Sequence, residues 1–226
     1  LSHLFGTDWV GRDMLTRTIK GLSLSMKIGL LATLTSTIIA IILGIIGPTF
    51  GRRVDAVVTW FIDLVLSVPH TLVVILISIA MGGGLKGIVV GVAATHWTSL
   101  TRVIRAEVMQ IMESDYTKIS KNFGKSNWYI AKEHILPHVI PQIIVNAVLI
   151  FPHAILHEAS VTFLGFGLPP HEPAIGVILS ESMKYLTSGY WWLAFFPGLS
   201  LILVSMMVDK IGKNIEQLIN PKTAYK

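Results

Sequence analysis

The stretch "IGLLATLTSTIIAIILGIIGPTFG", residues 28–51, contains no charged side chain. At a rise of about 1.5 Å per residue, a helix of this length crosses the roughly 30 Å hydrocarbon core of a bilayer. Residues 64–85 and 185–208 form two further uncharged runs of comparable length. The sequence therefore predicts helices that span a membrane.

The composition of the whole chain supports that prediction. Of 226 residues, 52% are hydrophobic and 14% are charged, whereas soluble domains carry about 25% charged residues. There is no cysteine, which excludes disulfides and thiolate metal sites. We predict an all-α polytopic membrane helix bundle with five spanning helices, at about residues 25–47, 60–81, 87–108, 139–164 and 190–210. The third requires Arg102 and Arg105 to snorkel to the headgroups.

The distribution of lysine and arginine predicts the orientation. These residues are concentrated in the polar loop after the third predicted helix and in the tail, whereas the alternate loops carry only Lys86 and Lys184. Positive charge marks the cytoplasmic side. We therefore expect loop 110–138 and tail 213–226 to be cytoplasmic, and we attribute the basic charge to topology, not to nucleic-acid binding.

The N-terminal segment departs from this rule because it would lie outside and yet carries several basic residues. Asp8 and Asp13 offset part of that charge. We predict that residues 1–24 form an amphipathic segment in the outer interface and that 25–212 form the transmembrane domain.

Gly124-Lys125-Ser126 ends like a nucleotide-binding P-loop. The complete motif requires another glycine at position 119, which is isoleucine, and a preceding buried strand, which is absent from the pattern. The sequence therefore predicts no ATP site here and leaves Gly124 to be explained otherwise.

Gly124 fits the end of a short helix that starts at Asp115 and runs to Phe123, where a left-handed glycine is favoured. Ser126 or Asn127 can cap a second helix, which we expect to end at Pro137. Two short helices with aromatic side chains suit a surface that docks into another protein. A plain loop with its aromatics on the bilayer is the alternative.

Four stretches carry a family resemblance. "SDYTKISKNFGKSNWYIAKEHILPHVIPQIIV" resembles the coupling (EAA) loop of ABC importer permeases. Three others resemble the dipeptide/oligopeptide/nickel permeases. They are "FGTDWVGRDMLTRTIKGLSLSMKIG", "EASVTFLGFGLPPHEPAIGVIL" and "WLAFFPGLSLILVSMMVDKIGKNIEQLINP".

The resemblance implies a type I ABC importer permease fold in a prokaryotic inner or plasma membrane. Members usually have one more helix before the stretch that begins "FGTDWV", so we expect an initial helix to be lacking. The implied partners are a second homologous permease, one or two ATPase subunits and an extracellular solute-binding protein, besides membrane lipid. ATP and Mg²⁺ would bind to the ATPase subunits, and this chain would hold no cofactor and no catalytic residue.

The resemblance also assigns ATPase coupling to loop residues. Ile119 and Ser120 stand where the family usually has two alanines, and the other positions match its pattern. The implied coupling residues are Tyr116, Ile119, Ser120, Gly124, His134, Leu136 and Pro137.

Histidines suggest the transported substrate. His153 and His157 are spaced i, i+4 and share one helix face, and imidazole suits nickel and similar ions. Similar histidines in nickel permeases imply a translocation pathway for nickel, a related divalent metal or a metal chelate. His96, His153, His157 and Glu158 would line it, with His153 and His157 as transient ligands. The alternatives are a peptide substrate, favoured by Glu158, or histidines that only join neighbouring helices.

Two other classes of protein are alternatives. An intramembrane metalloprotease needs H-E-x-x-H, but Ala154 occupies the glutamate position. A purely structural membrane subunit would not need a glycine-hinged loop, and association with an ATPase would separate it from a permease.

Overall fold

The computed structural model describes residues 3–219, and within that range the chain is helical apart from its connecting loops and one β-bridge between Thr7 and Asp13. The helices are α1 Met14–Phe50, α2 Arg52–Leu66, α3 His70–Ala80, α4 Gly84–Met112, α5 Asp115–Asn122, α6 Asn127–Ile130, α7 Leu136–Phe163, α8 Ile175–Ser182 and α9 Trp192–Ile219. A π-helical turn, Ala131–Ile135, joins α6 to α7, and a 3₁₀ turn, Leu186–Ser188, precedes α9.

The prediction of five spanning helices is wrong for the described residues. Three helices are long and apolar enough to cross a membrane: α1, the continuous helical stretch Asn127–Phe163, and α9. The pair α2 and α3 would make a fourth if it counts as one span, but the two helices meet at 91°. The all-helical membrane architecture is confirmed, with fewer simple spans.

Pro69 explains the broken second span. Its backbone lies at φ −53°, ψ 126°, outside the helical region, and proline has no N–H to continue a helix. Helix α2 therefore ends at Leu66, and α3 begins with His70 in its first turn.

The predicted third span lies inside α4, a continuous helix of 29 residues. Four polar residues, Thr95, His96, Thr98 and Ser99, and two arginines make it less apolar than the three helices above. Arg102 pairs with Asp63 at 2.8 Å, and Arg105 pairs with Asp55. Both acids belong to α2, so these ion pairs tie α2 to α4.

Helix α1 packs against α4 and α7, and α9 packs against α7. The contact between α3 and α4 is close because α4 presents Gly87 and Gly91 to α3. A Cβ at Gly91 would lie 2.9 Å from the Val74 carbonyl oxygen, and one at Gly87 would lie 2.8 Å from that of Ser78. These two glycines let the α3 backbone approach and so bring α3 side chains onto α4.

Two basic residues of the N-terminal segment form ion pairs with acidic side chains. Asp8 is buried and binds Arg12 at 2.6 Å and Arg17 at 2.9 Å, and Arg17 also pairs with Glu181. Burial alone would raise the pKa of Asp8, but the hydrogen bonds from Arg12 and Val10 outweigh it and lower that pKa. Helix α1 already begins at Met14, so no helix end marks the predicted boundary at residue 24.

Candidate functional site

Residues 115–135, called the coupling segment below for the role that the resemblance implies, contain the predicted glycine hinge. Gly124 has φ +75°, a conformation that suits glycine because it lacks a Cβ. Its N–H donates to the Lys121 carbonyl at 2.9 Å, and the Lys125 N–H donates to that of Ser120 at 3.1 Å. These bonds close the end of α5, so the predicted left-handed turn is confirmed.

The second predicted helix of the segment begins as expected and continues further than expected. The Ser126 hydroxyl accepts a hydrogen bond from the Tyr129 N–H at 3.2 Å, which confirms the predicted cap. The helix does not end at Pro137, because a π-helical turn leads directly into α7. Pro137 stands in the first turn of α7, where proline is tolerated. The coupling segment is therefore continuous with a long apolar helix.

A side-chain contact braces the two arms of the hinge. Ser120 Oγ on α5 and His134 Nε2 in the π-turn lie 2.9 Å apart, at hydrogen-bonding distance. The rings of Tyr116 and Tyr129 flank His134 with centroids 5.7 and 5.9 Å away. Ser120 occupies a position where the resemblance would place alanine, so this chain uses a hydrogen bond at that point. Leu136, the first residue of α7, packs against the buried core.

The outer side of the hinge is apolar and exposed. Phe123 is 80% exposed and Trp128 is 67% exposed. Tyr116, Ile119 and Tyr129 are also exposed, and the Lys125 ammonium lies 4.8 Å from the Tyr129 ring centroid. Solvent-exposed aromatics clustered at one tip are typical of a docking surface.

The structure brings together three histidines, two of which were predicted to line the pathway. His157 meets His96 of α4 and His70 of α3. His153 is exposed on α7 and is not a member of this group of three. Each ring comes from a different helix, and their nitrogens that could bind a metal lie within 4.8 Å of one another.

This histidine cluster, defined as His70, His96 and His157, is tightly packed. The ring centroids are separated by 4.3 Å for His70 and His157, 4.7 Å for His70 and His96, and 5.3 Å for His96 and His157. Both ring nitrogens of His70 and Nε2 of His96 are buried without a hydrogen-bond partner among the described residues. Leaving a buried polar atom unpaired costs about 1–3 kcal/mol, so the cluster holds polar atoms that a ligand could satisfy.

Glu158 lies away from the cluster, although it follows His157 in sequence. It is fully buried, and its Oε1 accepts a hydrogen bond from the Thr162 hydroxyl at 3.0 Å. Thr162 Oγ1 in turn accepts the Leu168 N–H at 3.3 Å. In this conformation Glu158 Oε1 supports the turn after α7, and Oε2 has no hydrogen-bond partner among the described residues.

His70 was missing from the predicted pathway. In the sequence His70 follows Pro69 and is far from His96 and His157. It comes close to them only because α3 packs back onto α4. The spacing of Gly87 and Gly91 is the signal that could have found it, because small residues one helical turn apart mark a close helix contact.

Solved structures match the fold across most of the chain. A chain from the MetNI methionine ABC transporter in inward-facing conformations matches with a TM-score of 0.73 and 14% identity, covering 92% of this chain and 98% of that one. A chain from an amino acid ABC transporter solved with histidines matches with a TM-score of 0.67 and 16% identity, covering 90% and 94%. Such low identity shows only the fold, which is that of type I ABC importer permeases.

Curated relatives are more similar in sequence. The dipeptide transport system permease DppC of Bacillus subtilis is 34% identical over 97% of this chain and 69% of its own length. A putative peptide transport system permease of Brucella suis is 32% identical over 98% and 74%. The probable D,D-dipeptide permease DdpC of Escherichia coli is 29% identical over 100% and 75%.

The names of these relatives do not support the predicted nearness to nickel permeases. They do support an ABC importer permease, a class that is not itself enzymatic and that works with an ATPase and a binding protein. A family model described as "Binding-protein-dependent transport system inner membrane component" matches residues 36–221. The chain belongs to this family of inner-membrane permeases.

Proposed function

We propose that this chain is the permease subunit of an ABC importer that takes up dipeptides or short oligopeptides. The observation that carries the peptide assignment is the similarity, over nearly the whole chain, to dipeptide and peptide permeases. In this proposal a solute-binding protein delivers the peptide outside, and the pathway forms between this chain and a second homologous permease.

In this proposal the importer has one or two ATPase subunits, and the coupling segment docks into an ATPase. The segment and the C-terminal tail lie on the cytoplasmic side. Phe123 and Trp128 supply exposed apolar contact area, and Gly124 fixes the angle between α5 and the second arm. Ser120 and His134 keep the arms together. ATP and Mg²⁺ bind to the ATPase subunits, and this chain receives the motion through the π-helical turn into α7.

A double substitution tests the docking assignment. Phe123→Ala with Trp128→Ala removes two exposed side chains, so we expect normal insertion and folding but at least about tenfold weaker ATPase association, as for aromatic hot spots. The matched control is Trp60→Ala with Phe61→Ala, another exposed aromatic pair, on α2. Equal ATPase co-purification of the two double variants would contradict the assignment.

Uptake by the reconstituted importer tests the cargo. Proteoliposomes that contain the permeases and ATPases, with the binding protein outside, should accumulate labelled dipeptide in an ATP-dependent manner. Absence of uptake across a dipeptide panel, with binding-protein-stimulated ATPase activity intact, would exclude the peptide assignment.

Nickel, another divalent metal or a metal chelate is the second candidate cargo, and the histidine cluster favours it. Here His157 keeps the role predicted from sequence, with His96 and His70 beside it. His153 is exposed one turn earlier on α7 and would be an entry position. Labelled nickel measured beside dipeptide in the same proteoliposomes decides between the two cargos.

A further inference from the structure

Three imidazoles converge from three different helices in the membrane domain. His70 lies in the first turn of α3, His96 in the middle of α4 and His157 in the second half of α7. Helix α3 reaches this position because Pro69 breaks the preceding helix and because Gly87 and Gly91 admit the α3 backbone. The convergence is thus built by the fold.

Hydrogen bonding does not account for the arrangement. Three of the ring nitrogens, two on His70 and one on His96, are buried without a partner among residues 3–219. Histidines that serve only to join helices would be expected to donate to or accept from a neighbouring group. A ligand that several nitrogen lone pairs can share would satisfy them together.

The donor set selects the class of ligand. Neutral imidazoles are borderline ligands that suit Zn²⁺, Ni²⁺, Co²⁺ and Cu²⁺, whereas Mg²⁺ and Ca²⁺ prefer oxygen. No carboxylate belongs to this group in the described chain. Three histidines with an open fourth position form a known type of zinc coordination.

The distances allow a metal after a small adjustment. Ligand nitrogens around a tetrahedral ion with bonds of about 2.0–2.1 Å lie roughly 3.3 Å apart. The nitrogens of the cluster lie within 4.8 Å of one another, so the rings need to close by at most about 1.5 Å. Side-chain rotation supplies that movement.

We propose that His70, His96 and His157 bind one borderline divalent transition-metal ion, such as Zn²⁺ or Ni²⁺, which links α3 to α4 and α7. This inference goes beyond the proposed peptide transport and does not depend on it. The metal would crosslink helices that differ in their connection to the coupling segment. Helix α7 continues from the segment without a break, α4 is joined to its start by the two residues Glu113 and Ser114, and α3 does not adjoin it in sequence.

The test measures metal binding to the assembled importer without any transport step. The complex, purified with a histidine-free affinity tag in lipid nanodiscs, is stripped with a chelator and dialysed against Zn²⁺ or Ni²⁺. Elemental analysis should find one ion per copy of this chain. Affinity should fall at least about tenfold in His70→Leu, His96→Leu and His157→Leu, since even second-shell changes cost 10–100-fold.

His171→Leu is the matched control. His171 is exposed in the loop between α7 and α8 and is outside the cluster, so the variant should bind metal like the parent protein. His153→Leu is measured beside it. X-ray absorption of the loaded parent complex should show about three imidazole ligands, which keeps the proposal testable if a variant fails to assemble.

Specific results would overturn the proposal. One is the absence of a bound ion, and another is absorption dominated by oxygen ligands. Loss of binding in His153→Leu with retention in His70→Leu would also overturn it, and would favour the pair on α7 predicted from sequence. Metal affinity that falls in the three cluster variants supports the site, whether the importer accumulates dipeptide or nickel.

Discussion

The histidine cluster and the coupling segment place histidine in opposite surroundings. In the coupling segment, His134 is partly exposed, lies 2.9 Å from a serine hydroxyl and is flanked by two tyrosine rings. In the cluster, His70 and His96 have buried nitrogens with no partner. The first arrangement gains from the bond that it makes, and the second incurs a desolvation cost that the polypeptide alone does not recover.

The difference separates a histidine that stabilises structure from one that is available to a ligand. Burial alone does not make that distinction, because Glu158 is buried more completely than His157 and its Oε1 still accepts a hydrogen bond from Thr162, although its Oε2 has no partner among the described residues. In His70 neither ring nitrogen is paired. Perturbing each region alone therefore tests whether the two serve different purposes.

The largest effect is expected from Gly91→Ala, which breaks the cluster and spares the coupling segment. The new Cβ would lie 2.9 Å from the Val74 carbonyl oxygen, so α3 must move away at a cost of about 1–3 kcal/mol. We expect a lower apparent Tm and weaker metal binding with unchanged ATPase association. The control, Gly198→Ala, meets only Leu179 at 3.8 Å and should leave all three unchanged. A normal Tm for Gly91→Ala would contradict the close packing of α3.

Gly124→Val should do the reverse and disturb the coupling segment alone. No atom lies within 4 Å of the new Cβ, so the cost arises from the backbone at φ +75° and amounts to about 1–2 kcal/mol. We expect weaker ATPase association and slower uptake with normal metal binding. Gly124→Asn is the control, because asparagine tolerates the left-handed region. Equal defects in both variants would show that glycine is needed for space and not for conformation.

The smallest effects on stability are expected from matched histidine replacements in the metal-free complex. His134→Leu removes the partner of Ser120 and should cost about 1 kcal/mol. His70→Leu removes two unpaired nitrogens and should leave stability unchanged or raise it slightly. Apparent Tm values measured side by side in excess chelator check this, and a larger loss for His70→Leu would mean that its ring makes an unrecognised polar contact.

Local features were predictable from the sequence. The turn at Gly124 and the cap at Ser126 depend on residues within a few positions, and both were correctly placed. The uncharged run likewise lies in α1 from residue 28 to residue 50. Short-range steric and hydrogen-bonding rules suffice for such features.

Features that depend on packing between distant residues were not predictable. The uncharged run predicts one span at 60–81 across Pro69, whereas α2 and α3 meet at 91°. The helix was expected to end at Pro137, and a π-turn carries it on. Helical spacing pairs His153 with His157, and it does not indicate that His157 meets His70 of α3. Nothing local to α7 specifies where α3 packs.

The π-helical turn gives α7 the geometry of a lever arm. The helix runs without a break from the turn at Ala131–Ile135 to Phe163, and His157 lies roughly 32 Å from Leu136 along its axis at about 1.5 Å per residue. A tilt of about 5° at the turn moves His157 by roughly 3 Å, which exceeds the tolerance of a metal–ligand bond. His70 and His96 belong to α3 and α4, which are not continuous with this turn. The three imidazoles would therefore separate when α7 tilts, and an ion bound between them would stabilise the conformation in which they lie together.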